Sequence, residues 1–216
     1  LRIVANLYPE DLHLVMPKGA SINDLGDLAG KRVGIAQAGS GTQVAVEQML
    51  DIWGVNRDNM DEAELNNSQS AERLADGQLD AYFYAAGWPV AAMVQLSSTK
   101  GMELHSFSDD DLKKINDVIP AYIPSAIPAN VYEGIDYEVK TPAVSALLVV
   151  SSDLSDDLVY GITAALWNDN TRKLLDNGHA KGRQITAETA LDGVTALGVP
   201  LHPGAERFYK EAGLME

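Results

Sequence analysis

The sequence lacks cysteine, closely spaced histidines and long hydrophobic runs, and each absence excludes a kind of site or protein. Without cysteine the chain has no disulfide, no thiol catalysis and no thiolate metal site. Its four histidines are far apart and show no H-x-x-x-H spacing, which argues against a zinc site. The longest apolar run, residues 143–150, is interrupted by Ser145 and is far too short to span a bilayer. We therefore predict no metal, no cofactor and no stable membrane insertion.

Basic residues are also scarce in this chain. Lys and Arg number 16 against 31 Asp and Glu, which gives a formal net charge of -15. Phosphate backbones and anionic membrane surfaces repel such a chain, so we expect no nucleic acid as a partner. Since the net charge of the chain is negative, an anionic ligand needs local favourable interactions, from backbone amides that point at it or from a basic side chain.

The beginning of the chain resembles the inside of a strand. It starts at Leu1 rather than Met, and its first five residues have the pattern of a strand. We expect that the sequence is truncated or processed at its N-terminus, and no signal peptide is visible. The visible chain therefore says nothing about export.

Predicted strands and helices alternate along the 216 residues, which suffice for one large domain or two small lobes sharing a hinge. Strands are predicted at residues 12–16, 31–36, 64–66, 79–85, 102–107 and 143–151. Helices are predicted at residues 43–53, 71–75, 89–96, 108–115, 158–167, 171–177 and 187–197, with a short one near the C-terminus. Residues 121–132 contain two prolines and are expected to be extended or irregular. The alternation predicts an α/β fold with mainly parallel sheets, whose ligands lie at the carboxyl ends of strands.

A glycine-rich loop lies between a predicted strand and a predicted helix. It consists of Gly39, Ser40, Gly41 and Thr42. Amides and hydroxyls at a helix N-terminus suit an anion, because the first N–H groups of a helix have no partners within it. Capping of the helix alone is the alternative interpretation. The loop lacks the G-x-x-x-x-G-K-[ST] pattern of a P-loop, the third glycine of a dinucleotide fingerprint and the G-x-S-x-G spacing of a nucleophilic serine.

A second candidate segment ends a predicted strand and enters a predicted helix. Residues 82–87 include Tyr82 and Tyr84, which a strand places on one face, with Phe83 on the other. Tyrosines at the rim of a crevice offer hydrogen bonds together with flat apolar contact. Packing of these rings in the core is the alternative interpretation.

Several charged residues each have two alternative roles. Arg73, Lys140 and Arg207 could each meet a ligand carboxylate, and solvent exposure is the default for each. The three consecutive aspartates at 109–111 have the composition of a metal cluster. Because they stand at the start of a predicted helix, however, the favoured interpretation is that their charge complements the positive end of the helix dipole.

Five segments of the chain resemble the TAXI family, the solute receptors of tripartite ATP-independent periplasmic (TRAP) transporters. The segments are NLYPE (6–10), GKRVGIAQAGSGT (30–42), DAYFYAAG (80–87), DLVY (157–160) and PLHPGAERFYKEAG (200–213). They follow in order from Asn6 to Leu214, and the last one is long and specific.

The resemblance implies a fold similar to type II periplasmic binding proteins, with two α/β lobes joined by crossing strands and the ligand between them. Lobe one would comprise residues 1–21 and 143–216, and lobe two residues 22–142. Members of the family begin with a further stretch of lobe one that includes a Gly-Thr-Gly-rich loop. That N-terminal part of lobe one is missing here.

The same resemblance implies a periplasmic receptor rather than an enzyme. It would capture a small-molecule carboxylate, such as glutamate or a related dicarboxylate, and deliver it to the TRAP transporter membrane subunits. The ligand-binding residues that it implies are Gly39, Ser40, Gly41, Thr42, Gln43, Tyr82, Tyr84, Gly87 and, near the hinge, Tyr8. Residues 200–204 would be structural. Two alternatives are the effector-binding domain of a regulator and a serine hydrolase using Ser40.

Overall fold

Helices and strands alternate along the chain, which confirms the predicted α/β class. The computed structural model describes residues 1–215, with the backbone alone at residues 195 and 196. Its strands are β1 (Arg2–Pro17), β2 (Arg32–Gly34), β3 (Asp61–Ala63), β4 (Ala81–Ala86), β5 (Met102–Leu104), β6 (Ile123–Ile127) and β7 (Val139–Val150). Its α-helices are α1 (Gly41–Ile52), α2 (Asn67–Ala75), α3 (Ala91–Thr99), α4 (Asp109–Val118), α5 (Asp156–Leu166), α6 (Asp169–Gly178) and α7 (Pro203–Glu211). No helix in this described part is long and apolar enough to cross a membrane.

The strands form one mixed sheet. Its order is β3-β2-β4-β1-β7-β6, and β5 pairs with β1. β2 runs parallel to β3 and to β4, whereas β1 runs antiparallel to β4 and β5, and β6 runs antiparallel to β7. The prediction of mainly parallel sheets is therefore wrong. The parallel pairs β2–β3 and β2–β4 join strands that the crossover helices α1 and α2 connect, as parallel pairing requires.

Two compact units divide the chain. The first comprises Leu1–Pro9 and the chain from Ser145 onward, and the second comprises Glu10–Val144. β1 and β7 each contribute residues to both units. The lobes expected from the sequence, residues 1–21 with 143–216 and residues 22–142, stay a prediction.

The second unit buries apolar side chains on both faces of its sheet. One core packs α1 and α4 against Phe83, and the other packs α2 and α3 against Tyr82. The predicted alternation of these two rings across the strand is confirmed. The helical spacing of Val46, Met49, Leu50 and Trp53 predicts one apolar face, and the first three are buried in α1 while Trp53, its C-cap, is partly buried. This packing holds the first turn of α1 in a fixed place beside the ends of β2 and β4.

The first unit depends on the close packing of α7 against α5. His202 caps α7, since its Nδ1 accepts from the Gly204 N–H at 3.2 Å, and its Nε2 lies 3.1 Å from the Leu154 carbonyl oxygen. A Cβ added to Gly204 would lie 2.2 Å from the Asp156 carbonyl oxygen, so glycine is required at this contact. These contacts agree with the structural role expected of residues 200–204.

Some predicted elements differ from the observed ones. The helix expected at residues 187–197 is wrong, because Gly193 adopts a left-handed conformation with φ of 72° and only a short 3-10 helix, Val194–Leu197, follows it. The strand expected at residues 64–66 lies instead at Asp61–Ala63. This shift is small, but it moves Glu64 from the first residue of the predicted strand to the loop after β3.

Two helices of the second unit, α4 and α2, begin at side-chain caps. Ser108 caps α4, and the three aspartates at 109–111 occupy its first turn, where their charge complements the helix dipole. α2 begins at Asn67, earlier than the predicted start at residue 71, because Asn66 forms a capping box with Gln69.

Candidate functional site

The loop between β2 and α1 turns sharply at the carboxyl ends of the parallel strands β2 and β4. Ala36 and Gly39 both have positive φ values, 74° and 73°. The left-handed region suits glycine but strains alanine, and such strain is concentrated at functional sites. Ser40 N donates to the Gln37 carbonyl at 3.0 Å and closes the turn before the helix begins. The loop is therefore a defined structure that aims the first turn of α1.

The N-terminus of α1 carries unused donors. Ser40 is the N-cap, and its Oγ accepts from the Gln43 N–H at 3.2 Å. The next two amides, those of Gly41 and Thr42, are used by no hydrogen bond in the described part of the chain. A helix leaves its first N–H groups without backbone partners, and its dipole adds a partial positive charge there. This arrangement can hold one anionic group.

The Gln43 side chain belongs to the loop itself. It is 7% exposed, and its Oε1 accepts from the Gly39 N–H at 2.7 Å. Its Nε2 donates to Glu64 Oε1 at 3.0 Å. The amides of Gly39 and Gln43 are thus both occupied by side chains of the loop, which leaves those of Gly41 and Thr42.

The end of β4 meets the same helix N-terminus. Thr42 Oγ1 lies 3.4 Å from the Ala85 backbone nitrogen, which donates to it. Because the hydroxyl accepts this bond, its own hydrogen remains available to a ligand. Tyr84 and Gly87, on either side of this contact, are both half-buried. The structure therefore brings together two of the three segments predicted for the site.

Tyr82 has a different environment from its neighbours on β4. Its side chain is fully buried among the apolar residues of α2 and α3, and burial raises the pKa of its phenol. Its hydroxyl has no hydrogen-bond partner among the described residues. The observed placement matches the alternative interpretation, in which this ring packs in the core.

The remaining predicted residues lie in other parts of the chain. Tyr8 and Arg207 belong to the first unit, whereas the other predicted residues belong to the second. Lys140 Nζ lies 2.7 Å from Asp109, and Arg207 Nη2 lies 3.0 Å from Asp157. Arg73 is exposed in the last turn of α2. No described hydrogen bond or ion pair joins these three cations to the loop, so an anion there would be held by amides and hydroxyls.

A buried polar network beside β4 was not predicted. His13, which pairs with Tyr84, has its Nδ1 at 3.0 Å from the Asp11 carbonyl oxygen and its Nε2 at 3.0 Å from the Tyr132 hydroxyl. That hydroxyl also accepts from the Val90 N–H at 3.0 Å. His13 Nδ1 faces the carbonyl oxygens of Asp11 and Tyr84, which only accept, so this nitrogen carries a proton. A histidine inside the apolar run of residues 12–16 was the sequence signal for such a network.

The histidines and acids of the described residues build no catalytic or metal constellation. The only bond of Ser40 Oγ in this part of the chain is to Gln43 N, and His13, His105, His179 and His202 have other partners. No group of three or more His, Asp or Glu side chains among these residues is placed to hold a metal ion. The chemistry that the loop offers is hydrogen bonding to an anion.

These features describe an α/β chain with a candidate anion-binding helix N-terminus at the carboxyl edge of its sheet. The family model of the NMT1-like family matches residues 1–213. The chain belongs to the NMT1-like family. This match does not confirm the resemblance to the TAXI family.

Several solved structures are similar to this chain at low sequence identity. One described as the periplasmic sulfonate-binding protein SsuA of a sulfonate ABC transporter from Methylobacillus flagellatus KT is 15% identical, covering 99% of this chain and 62% of that one, with a TM-score of 0.46. An ancestral arginine-binding protein bound to arginine is 17% identical, covering 97% and 62%, with a TM-score of 0.41. The same ancestral protein type bound to glutamine is 20% identical, covering 80% and 57%, with a TM-score of 0.39. The chain thus spans about six-tenths of the length of these proteins, and similarities this distant carry no argument about ligand.

Proposed function

We propose that this chain is part of a solute-binding protein that captures a small carboxylated solute and delivers it to a membrane transporter. The observation that carries the proposal is the N-terminus of α1, where the Gly41 and Thr42 amides have no partners among the described residues. In a chain with a net charge of -15, such aimed amides are the means by which a carboxylate can be held.

The contact with β4 supports the same proposal. Thr42 Oγ1 accepts from Ala85 N, so both candidate segments converge on one place in the second unit. Half-buried Tyr84 and Gly87 flank this place and offer an aromatic ring and an accessible backbone. In the proposed site the carboxylate lies on the amides of Gly41 and Thr42 and on the hydroxyls of Ser40 and Thr42.

The finer features of the proposal follow from the resemblance to the TAXI family. They are a periplasmic location, TRAP transporter membrane subunits as partners, and glutamate or a related dicarboxylate as the solute. Tyr8 would contribute from the first unit. Two lobes, residues 1–21 with 143–216 and residues 22–142, would close around the solute.

Solute binding is favoured over hydrolysis by a nucleophilic Ser40. A nucleophilic serine needs a base within hydrogen-bond reach. Ser40 Oγ instead accepts from Gln43 N and so serves as a helix cap. The regulator alternative places the same loop in an effector-binding domain, which would bind a solute without delivering it to a transporter. Delivery to a transporter is tested separately, by solute uptake in membrane vesicles with and without the protein.

A thermal-shift screen of the protein with carboxylates and amino acids tests the proposal. A solute that binds only the folded state at about 100 times its Kd adds about 2.7 kcal/mol of stability, and the melting temperature rises. The rise should vanish in Ser40→Ala/Thr42→Val. Ser155→Ala is the matched control, because it removes the equivalent cap of α5 and should keep the full rise. If no carboxylate raises the melting temperature, the proposed solute class is wrong.

A further inference from the structure

A chain of hydrogen bonds runs from the surface to the candidate binding loop. Arg57 Nη2 lies 3.3 Å from Glu64 Oε1, and the same oxygen accepts from Gln43 Nε2 at 3.0 Å. Gln43 Oε1 in turn accepts from the Gly39 N–H at 2.7 Å. The four residues come from four parts of the second unit, namely the loop after α1, the residue after β3, α1 itself and the loop after β2. None but Gly39 and Gln43 belongs to the predicted site.

The donors and acceptors in this chain allow one orientation of the Gln43 amide. The Gly39 N–H is a donor and needs the amide oxygen, while an ionised Glu64 is an acceptor and needs the amide NH₂. A flipped amide would place two donors together at Gly39 and two acceptors together at Glu64. Glu64 therefore determines which end of Gln43 faces the loop.

Arg57 in turn orients Glu64, although more weakly. Its guanidinium also contacts Glu47 and Glu62, each at 2.9 Å, and its hydrogen bond to Glu47 is the main reason that its pKa is raised. Arg57 is exposed, and exposed ion pairs contribute little because water screens them. The bond between Glu64 and Gln43, which is partly buried, is the stronger link.

We propose that Glu64 is a positioning residue of the solute site. It holds the Gln43 amide in the orientation that fixes Gly39 and the turn before α1, so that the Gly41 and Thr42 amides face a ligand. Gln43 acts through the loop and does not touch the solute. The role in binding rests on the function proposed above, whereas the role in ordering the loop does not.

Hydrogen exchange of the Gly39 amide in the ligand-free protein, followed by NMR, tests the ordering role. Glu64→Ala should speed exchange about tenfold or more, since one such bond to a charged group is worth at least a factor of ten. Glu62→Ala is the control, because it removes another carboxylate held by Arg57 and has no bond to Gln43 among the described residues. Unchanged Gly39 exchange in Glu64→Ala would overturn the proposal.

Swapping the hydrogen-bond donor and acceptor between residues 43 and 64 distinguishes positioning from a general loss of structure. Gln43→Glu sets two carboxylates against each other and should speed Gly39 exchange. Adding Glu64→Gln restores a donor opposite an acceptor, so the double variant should return towards the exchange rate of the unaltered protein. A double variant as fast as Gln43→Glu alone would contradict the proposal.

Calorimetric titration with L-glutamate and with succinate separates this inference from the proposed function. If the unaltered protein binds one of them, Glu64→Ala should weaken its Kd about tenfold and Glu62→Ala should leave it unchanged. Binding that Glu64→Ala does not weaken would overturn the positioning role while leaving the proposed function standing. If neither acid binds, the proposed solutes are wrong, and Gly39 exchange still decides the ordering role.

Discussion

Gly34 and Tyr82 are partners in the parallel pairing of β2 with β4, and the two residues are in close contact. A Cβ added to Gly34 would lie 2.8 Å from the Tyr82 Cβ and 3.2 Å from Ser70 Oγ. The Tyr82 Cβ is attached directly to the backbone, so neither strand can accommodate a methyl group without moving. The contact lies two residues before Ala36, where the candidate binding loop begins.

Gly34→Ala should therefore destabilise the second unit. Overpacking of a close backbone contact costs about 1–3 kcal/mol, and urea unfolding would measure the loss. Gly161→Ala provides a control of opposite sign, because nothing lies within 4 Å of a Cβ at this position inside α5. Alanine in a helix interior should raise stability by up to about 1 kcal/mol. A Gly34→Ala protein as stable as the unaltered one would show that the strands are not this closely packed.

The Tyr132 hydroxyl joins His13 on β1 to the backbone of Val90 ahead of α3. Tyr132→Phe leaves the buried Val90 N–H without its acceptor, which should cost about 1–3 kcal/mol in free energy of unfolding. Tyr137→Phe is the matched control, since that tyrosine is 39% exposed and its hydroxyl donates to the Leu104 carbonyl near the surface. Equal losses in the two variants, measured by denaturant unfolding, would contradict the role given to the buried network.

Alkaline pH should weaken the first unit through Tyr209. Burial raises the pKa of Tyr209 to about 12 from the ordinary value of 10.0. The unfolded chain loses this proton near pH 10 while the folded chain keeps it, so the stability is complete below pH 10 and is lost as pH rises towards 12. Urea unfolding at a series of pH values checks this.

Tyr209→Phe should flatten that dependence of stability on pH. The variant also loses the bonds from Trp167 Nε1 and to the Val4 carbonyl, so it starts from a lower stability at neutral pH. Burial raises the pKa of Tyr82 and Tyr132 in the second unit as well, and part of the alkaline loss therefore remains. An equally steep loss between pH 10 and pH 12 in the variant would exclude Tyr209 as its source.

Local patterns were sufficient to predict the parts of the structure that depend on local interactions. The apolar face of α1 at Val46, Met49 and Leu50 follows from helical spacing, and the loop before it follows from its glycines. The alternation across β4 placed Phe83 and Tyr82 on opposite faces. Each of these depends on residues close in sequence, so one short window contains the whole signal.

What the sequence did not predict depends on distant residues. The sequence predicts separate strands at residues 1–5 and 12–16, whereas β1 is one continuous strand that passes through Pro9 and pairs with strands far along the chain. Glu64 is predicted to begin a strand, but it lies just after β3 and accepts a hydrogen bond from Gln43, which is 21 residues earlier in the chain. Whether a tyrosine such as Tyr82 is buried or lies at a rim is decided by the helices that cover it, and a single strand does not contain that information.

A ¹H–¹⁵N NMR titration of the protein with L-glutamate and with succinate tests the central claim most directly. If the N-terminus of α1 holds the carboxylate, the amide signals of Gly41 and Thr42 should shift most and saturably. The Gly39 amide, already bonded to Gln43, should shift less. Saturable shifts confined to residues away from 39–43, or no shift with either acid, would contradict the account.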